Sequence, residues 1–291
     1  MNKKKEALAG WLFMSPAMII FIALIIIPTI ASFLLSFTEW NFLSGYAGIK
    51  FKGLDNFVKL FTKDRKFMKA FVNTVIYAFT TVPITIFMSL LAAYMLNTKV
   101  YLKKIFRTFF FIPYISSMVA LAAVFKFLFS EQGPINAILK DAFGMETLPA
   151  WITDSNLCRV PVISVMVYTG LGFCLIVYMA ALQNVPKELY HAAAIDGAGS
   201  VRIFFKITLP LISPTTFYLL IVRLIGAFKI FTAVNIMGFG GNSASIVKII
   251  YDSAFGSYSF GYASAASWIL VAIILTITLI QMWGQKKWVH Y

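Results

Sequence analysis

The residues best placed to do chemistry are two cations inside an apolar stretch. Arg223 and Lys229 are the only charged residues between positions 211 and 237. A cation at membrane depth costs at least ~2.5 kcal/mol on insertion scales, so it faces a cavity or a partner. There it could donate hydrogen bonds to hydroxyls or a carboxylate, or be satisfied by helix carbonyls or a neighbouring chain. Six residues at helical pitch put the two about 120° apart, so they need not share one site. Tyr168, Phe173 and Phe228 offer ring faces for the CH groups of a solute, although with 29 Phe most rings must pack or meet lipid. Other chemistry finds no constellation. Two His (His191 and His290) build no metal site or catalytic dyad, and two Cys, sixteen residues apart, make neither a cluster nor a disulfide framework. No G-x-x-x-x-G-K-[ST] is present to cradle phosphate; the glycines of 237–245 (MGFGGNSAS) lack the lysine.

The elements that position these residues follow from composition. The 291-residue chain is 60% hydrophobic and 12% charged, with a mean hydropathy of +0.84. Soluble domains carry roughly 25% charged residues, so this chain cannot clothe a water-facing surface. Charge-free gaps separate Glu6 from Glu39, Lys69 from Lys99, Arg159 from Lys187 and Asp252 from Lys286. Each exceeds the ~20 residues that a membrane-crossing helix needs. Two more apolar stretches hold Arg107 with Lys126 and Arg223 with Lys229. Six helical spans are expected, near 11–37, 71–96, 106–129, 160–183, 211–236 and 261–284, in one transmembrane domain covering 1–291. Pro16, Pro28, Pro83, Pro113, Pro161 and Pro214 would kink them.

Net positive charge here reads as membrane topology rather than nucleic-acid binding. With both termini inside, the inner segments (Lys99 among them) carry twelve cations and three acids, the outer segments ten cations and eight acids. The positive-inside rule counts cations, and twelve against ten does not decide the orientation. Most of the outer excess is one stretch, 50–69, with seven Lys or Arg. Trp11, Trp283 and Trp288 at the inner ends, and Trp40 and Trp151 near the outer surface, fit interfacial belts. Met1–Lys5 resembles a signal-peptide n-region, but the apolar run behind it is too long for an h-region. Lys126 is expected to snorkel outward.

The longest inner interruption, 183–214 (QNVPKELYHAAAIDGAGSVRIFFKITLPLISP), reads as two short helices with a glycine corner. Pro186 suits the start of a helix over 187–195, and Gly197 and Gly199 end it. Ser200 can cap a helix over 201–207, and Pro210 opens the fifth span. The first helix could seat in a groove of another protein. Equally, Leu189, Ile195, Phe204 and Phe205 could lay the segment on lipid headgroups.

This loop resembles the EAA loop of carbohydrate-type ABC importer permeases: E-A-A, three residues, G, nine residues, I-x-L-P. Here it runs His191-Ala192-Ala193, Gly197, then Ile207-Thr208-Leu209-Pro210, with both gaps matching and His191 replacing the usual Glu. VPKELY at 185–190 and AIDGAG at 194–199 are similar to the same family, as are FTEW at 37–40, GLDNF at 53–57, FRTFFFIP at 106–113, IGAFKIF at 225–231 and FGYASAAS at 260–267. Gly240-Gly241-Asn242 departs from a Gly-rich stretch that often ends in Pro.

The resemblance implies an all-α type I ABC importer permease fold of six transmembrane helices in a bacterial cytoplasmic (inner) membrane, with both termini cytoplasmic. It also implies the function: a permease subunit that translocates a sugar or oligosaccharide and is not itself an enzyme. The partners implied are a second homologous permease, two ATPase subunits that carry ATP and Mg, and an extracytoplasmic solute-binding protein. The chain itself would need no cofactor or metal. Glu188, His191, Ala192, Ala193, Asp196 and Gly197 would form the ATPase contact, with Gly197 as the corner. Arg223 could line the solute path, whereas Lys229 sits in a family-typical segment. Two rival readings are an importer of an anionic or phosphorylated solute, and an ATP-independent transporter or channel. Against the latter stand the loop spacing and the lack of an intramembrane acid to couple ions.

Overall fold

The structure, a computed structural model, describes residues 3–97, 103–238 and 241–288; Met1, Lys99, Gly240 and His290 lie outside these. Its elements run in chain order. Helix α1 (Lys3–Phe21) passes through a π turn at Ile22–Ile26 into α2 (Ile27–Ser36). A two-stranded hairpin, β1 (Thr38–Glu39) and β2 (Lys50–Phe51), leads to α3 (Asp55–Thr62) and α4 (Arg65–Asn97). Then come α5 (Lys103–Ile115), α6 (Met118–Leu128), α7 (Pro134–Phe143) and α8 (Arg159–Gln183). After α9 (Lys187–Ile195), α10 (Ser200–Ile203) continues through a π turn at Phe204–Thr208 into α11 (Leu209–Leu211). The chain closes with α12 (Ser213–Phe228), α13 (Thr232–Met237), α14 (Ile246–Tyr251), a π turn at Asp252–Gly256 and α15 (Phe260–Trp288).

Five segments are long and apolar enough to cross a membrane: Ala9–Ser36, Arg65–Asn97, Arg159–Gln183, Ser213–Met237 and Phe260–Gln285. The third expected span, 106–129, is not the continuous helix its composition suggests. It is two helices, Lys104–Ile115 and Met118–Leu128, bent by 99°. The break falls at Ser116 and Ser117, just after Pro113. The Ser116 hydroxyl donates back to the Ile112 carbonyl at 2.8 Å, and Ser117 is extended (ψ 123°). Short hydroxyl side chains compete with the helix ladder in this way.

The fifth span is broken too, between Phe228 and Thr232. The Ile230 carbonyl freed by this break accepts from the Ser245 hydroxyl at 2.7 Å. Two of the π turns sit just before prolines. Ile27 N–H bonds to Ile22 C=O ahead of Pro28, and Leu209 N–H bonds to Phe204 C=O ahead of Pro210. A proline ring clashes with the carbonyl four residues earlier, and widening the turn by one residue relieves it. The Pro210 helix ends at Leu211, so the fifth span opens at Ser213, with Pro214 in its first turn, rather than at Pro210.

The chain divides into two compact units, 1–65 with 249–271 and 66–248 with 272–291. In the first, Phe33 at the end of α2 meets Trp268 of α15 edge-on at 4.9 Å. The hairpin aligns Thr38 with Phe51 and Glu39 with Lys50, and Lys52 pairs with Glu39 at 3.2 Å. Asn56 of α3 donates to the Ser36 and Thr38 carbonyls at 3.0 and 2.8 Å. Gly261 leaves no room for a side chain, because a Cβ would meet Thr38 and Trp40 backbone within 3.1 Å.

In the second unit α5 packs along α8, and α6 packs against α8 and α13. Gly172 makes the first contact possible, since a Cβ there would lie 2.5 Å from the Phe110 carbonyl oxygen. The core includes fully buried Tyr77, Phe67, Leu175, Tyr178, Leu219 and Phe228. Arg159 Nε donates to Asn73 Oδ1 at 2.7 Å, and Asn73 Nδ2 donates to the Asn242 and Ala244 carbonyls at 2.8 and 2.9 Å. Tyr77 donates to the Ser243 carbonyl at 2.8 Å, and Ile246 N–H to Thr74 Oγ1 at 3.0 Å. The loop before α14 is thereby strapped to α4.

Candidate functional site

The α9 loop brings the coupling candidates together, whereas of the solute-path candidates only Arg223 lines the cavity between α8 and α12. Helix α9 begins directly after Pro186, whose ψ of 129° sets the entry, and Glu188 lies in its first turn. An acid there complements the positive helix end. At the other end Asp196 N–H bonds to Ala192 C=O, Gly197 N–H to Ala194 C=O at 3.1 Å, and Ala198 N–H to Ala193 C=O at 2.9 Å. These bonds form the Schellman pattern, which needs a left-handed residue at its turn. Gly197 supplies it with φ +72°. The next helix starts at Ser200 with Gly199 as N-cap and no side-chain cap, so Ser200 is not the capping residue.

Helical pitch and burial sort the faces of α9. Glu188, His191, Ala192 and Ile195 lie within about 100° of one another, and all four are exposed. Asp196 and Gly197 are exposed at the corner. Ala193 points the other way and is 8% exposed, so its side chain packs within the chain instead of facing a partner. Ile195, which composition alone assigns to lipid, is 87% exposed on the same face as Glu188 and His191. Only the register of α9 shows that Ile195 shares their face.

The loop is tied back into the bundle. The Tyr190 and Thr208 hydroxyls are 3.2 Å apart, and Thr208 is fully buried in the π turn. Tyr94 near the end of α4 meets Phe204 edge-on at 4.8 Å. These contacts link α9 to the π turn ahead of the fifth span, and that turn to α4.

Within the spans, the two cations part company. Arg223 reaches from α12 across α8 at Gly170. A Cβ on Gly170 would lie 2.8 Å from the Arg223 Cζ and 3.0 Å from the Thr85 Cγ2, and closer still to Nη2. The guanidinium makes a long 3.5 Å contact from Nη2 to the Met166 carbonyl. Its Nε is buried with no hydrogen-bond partner among the described residues, as is Thr85 Oγ1. Arg223 lines a cavity of about 210 Å³ with Met118, Met166, Thr169, Gly226 and Thr232. The cavity places the Arg223 side chain where hydroxyl or carboxylate oxygens of a ligand could accept from it.

Lys229 caps α12 and is exposed, outside that cavity. Phe228 is 1% exposed and packed in the core, so it has no ring face open to a solute. Tyr168 is exposed and tilted against Phe125 at 5.6 Å, and half-buried Phe173 is stacked on Tyr114 at 5.5 Å. Neither of these rings lines the Arg223 cavity. Lys126 does not snorkel: its ammonium donates to the Ile236 carbonyl at 2.9 Å, in the last turn of α13. A cation at a helix C-terminus is favoured by the macrodipole.

Comparison with known proteins matches residues 85–288 to the family model described as binding-protein-dependent transport system inner membrane component. The chain is 34% identical over 294 residues to the probable ABC transporter permease protein YesP of Bacillus subtilis, covering 99% of this chain and 94% of the relative. It is also 34% identical over 286 residues to the lactose transport system permease protein LacF of Rhizobium radiobacter, covering 96% and 94%. Among solved structures, it superposes on a chain of a bacterial alginate ABC transporter in complex with an alginate pentasaccharide-bound periplasmic protein. That match has a TM-score of 0.83 and 26% identity, and covers 97% of this chain and 96% of the other.

Proposed function

The chain belongs to the family of binding-protein-dependent transport system inner membrane components, and from that membership we propose the following machine. The chain is the permease subunit of an ABC importer for a sugar or oligosaccharide, with the type I importer permease fold, in a bacterial cytoplasmic membrane with both termini inside. A second, homologous permease completes the path, two ATPase subunits bind ATP and Mg and hydrolyse ATP, and an extracytoplasmic binding protein delivers the solute. No catalytic or metal-binding residue is required of this chain.

The observation that carries this reading is the exposed α9 face of Glu188, His191, Ala192 and Ile195, closed by the Gly197 corner. It is stiff enough to be pushed, because the Schellman bonds lock its end and Tyr190 links it to Thr208. His191 replaces the usual acid, so the ATPase side of the contact must accept an imidazole, with Glu188 one turn earlier supplying the negative charge. Closure of the ATPases would move α9 as a body and shift α4 and the fifth span with it. The solute would pass the Arg223 cavity, where Arg223 and Thr169 would hydrogen-bond its hydroxyls.

Affinity purification of the tagged protein from native membranes in mild detergent, followed by mass spectrometry, tests the assembly. The expected result is co-purification of a P-loop ATPase and a second six-span permease. Recovery of the chain only with copies of itself, together with solute uptake into liposomes without ATP, overturns the reading. One observation favours a second solute class: among the described residues lining its cavity Arg223 is the one charged residue, with no acid to neutralise it, which suits a carboxylate-bearing sugar. Arg223→Gln should then abolish uptake of acidic oligosaccharides while sparing neutral ones.

A further inference from the structure

The run 50–69 carries seven Lys or Arg against two acids, and nothing in the transport reading uses it. Part of it forms α3, whose three faces meet three different surroundings. Asn56 and Leu60 are buried against the protein, 9% and 0% exposed. About 180° away at helical pitch, Leu54 at the helix entry, Val58 and Phe61 form a stripe within about 60°. They are 62%, 53% and 50% exposed. Between these faces lie the polar, exposed Asp55 and Thr62. A helix in water has no reason to present an apolar stripe opposite its own buried side. A helix lying in a membrane interface needs that stripe.

Its depth is held from both ends of the segment. Asn56 donates at 3.0 Å to the carbonyl of Ser36, the last residue of the first span, which pins the first turn of α3 level with the end of α2. The link from Thr62 to Arg65, where the second span opens, holds two residues and reaches at most about 10 Å. α3 cannot rise clear of the bilayer surface. All seven cations of the stretch are exposed, and Lys50, Lys52, Lys59 and Lys63 stand on or beside α3.

We propose that α3 is an interfacial anchor: Leu54, Val58 and Phe61 enter the acyl boundary, and the lysines around them bind anionic phospholipid headgroups. Apolar area and electrostatic attraction to anionic lipid add in such helices, which is the combination present here. Leu34, two residues before the end of the first span, is likewise 62% exposed. The anchor would make the carrier sensitive to lipid charge.

Spin labels placed singly at V58C, F61C and T62C in the full-length transporter, reconstituted in nanodiscs, test this. Native Cys158 and Cys174 are 3% and 0% exposed and do not compete for label. The ratio of oxygen to nickel-chelate collision rates is expected to be several-fold higher at positions 58 and 61 than at 62. It should rise further when phosphatidylglycerol replaces phosphatidylcholine. Equal ratios at the three positions would overturn the interfacial placement. Shielding of 58 and 61 from both reagents would replace lipid with a protein partner, such as a binding protein. A ratio indifferent to lipid charge would overturn the anionic preference. All three positions are exposed, and the substitutions leave the buried Asn56 and Leu60 face of α3 unchanged.

Discussion

Substitution of Gly197 separates two reasons why a coupling loop would need glycine at its corner. The residue has φ +72°, and a Cβ added there would meet nothing within 4 Å. In the isolated chain, therefore, only backbone conformation opposes a side chain. For an L-residue other than Asn or Asp the left-handed region costs roughly 1–2 kcal/mol. An alanine should thus lower the population of the intact corner roughly five- to thirtyfold against alternatives that unwind the last turn of α9. Asparagine tolerates the same region and should cost only a fraction of that. Proline, held near φ −65°, cannot adopt it at all.

The readout is ATPase activity stimulated by the solute-loaded binding protein in proteoliposomes, beside uptake of the same solute. The expected order is Gly, then Asn, then Ala, then Pro, with assembly retained in all but the last. Were Asn as harmful as Ala, the backbone argument would be refuted. The glycine would then be required by space against the bound ATPase.

Four other outcomes follow from the same contacts. Ile195→Asp should weaken ATPase association by tenfold or more, since burying an isoleucine is worth about 1.5–3 kcal/mol. The melting temperature of the lone permease should not change, because the side chain is 87% exposed. Gly170→Ala should displace the Arg223 guanidinium and impair uptake, and Arg223→Ala in the same chain should relieve the clash. Uptake by the double variant no worse than by Arg223→Ala alone would show the coupling. Asn73→Ala strands two carbonyls and Arg159 Nε, and should destabilise the fold by about 1–3 kcal/mol in thermal unfolding. The Asp154 carboxyl accepts from the Asn156 and Leu157 N–H groups, which hold its pKa below the ordinary value of 3.8. Its folded pKa being the lower one, the stabilisation is present above the ordinary value and fades as pH falls through the folded value. Asp154→Asn should flatten the acid limb of the stability curve in that range only.

Much of this was legible residue by residue. Scarce charge marked the spans because lipid excludes ions, and that constraint acts on each segment alone. The start of α9 after Pro186 and its stop at Gly197 were legible too, since a helix entry and a positive φ are local requirements. So was the family, whose loop spacing the sequence carries and whose model the chain matches.

What failed to show in the sequence depends on partners distant along the chain. The 99° break in the third span lies in an unbroken apolar run, and hydropathy does not register a helix that turns. A lone lysine near a span end usually snorkels, but Lys126 donates to the Ile236 carbonyl, 110 residues away. Phe228 and Arg223 are one helical turn and a half apart, yet the packing of α12 buries one and leaves the other lining a cavity. Ala193 and Ile195 are likewise neighbours on one short helix, and only the side on which α9 meets the bundle makes one core and the other surface. The sequence by itself determined which segments enter the membrane and where the loop turns, because solvation and backbone strain are paid locally. Which side chains face a ligand, a lipid or each other was decided by tertiary structure, because a direction has meaning only once neighbouring helices occupy the other sides.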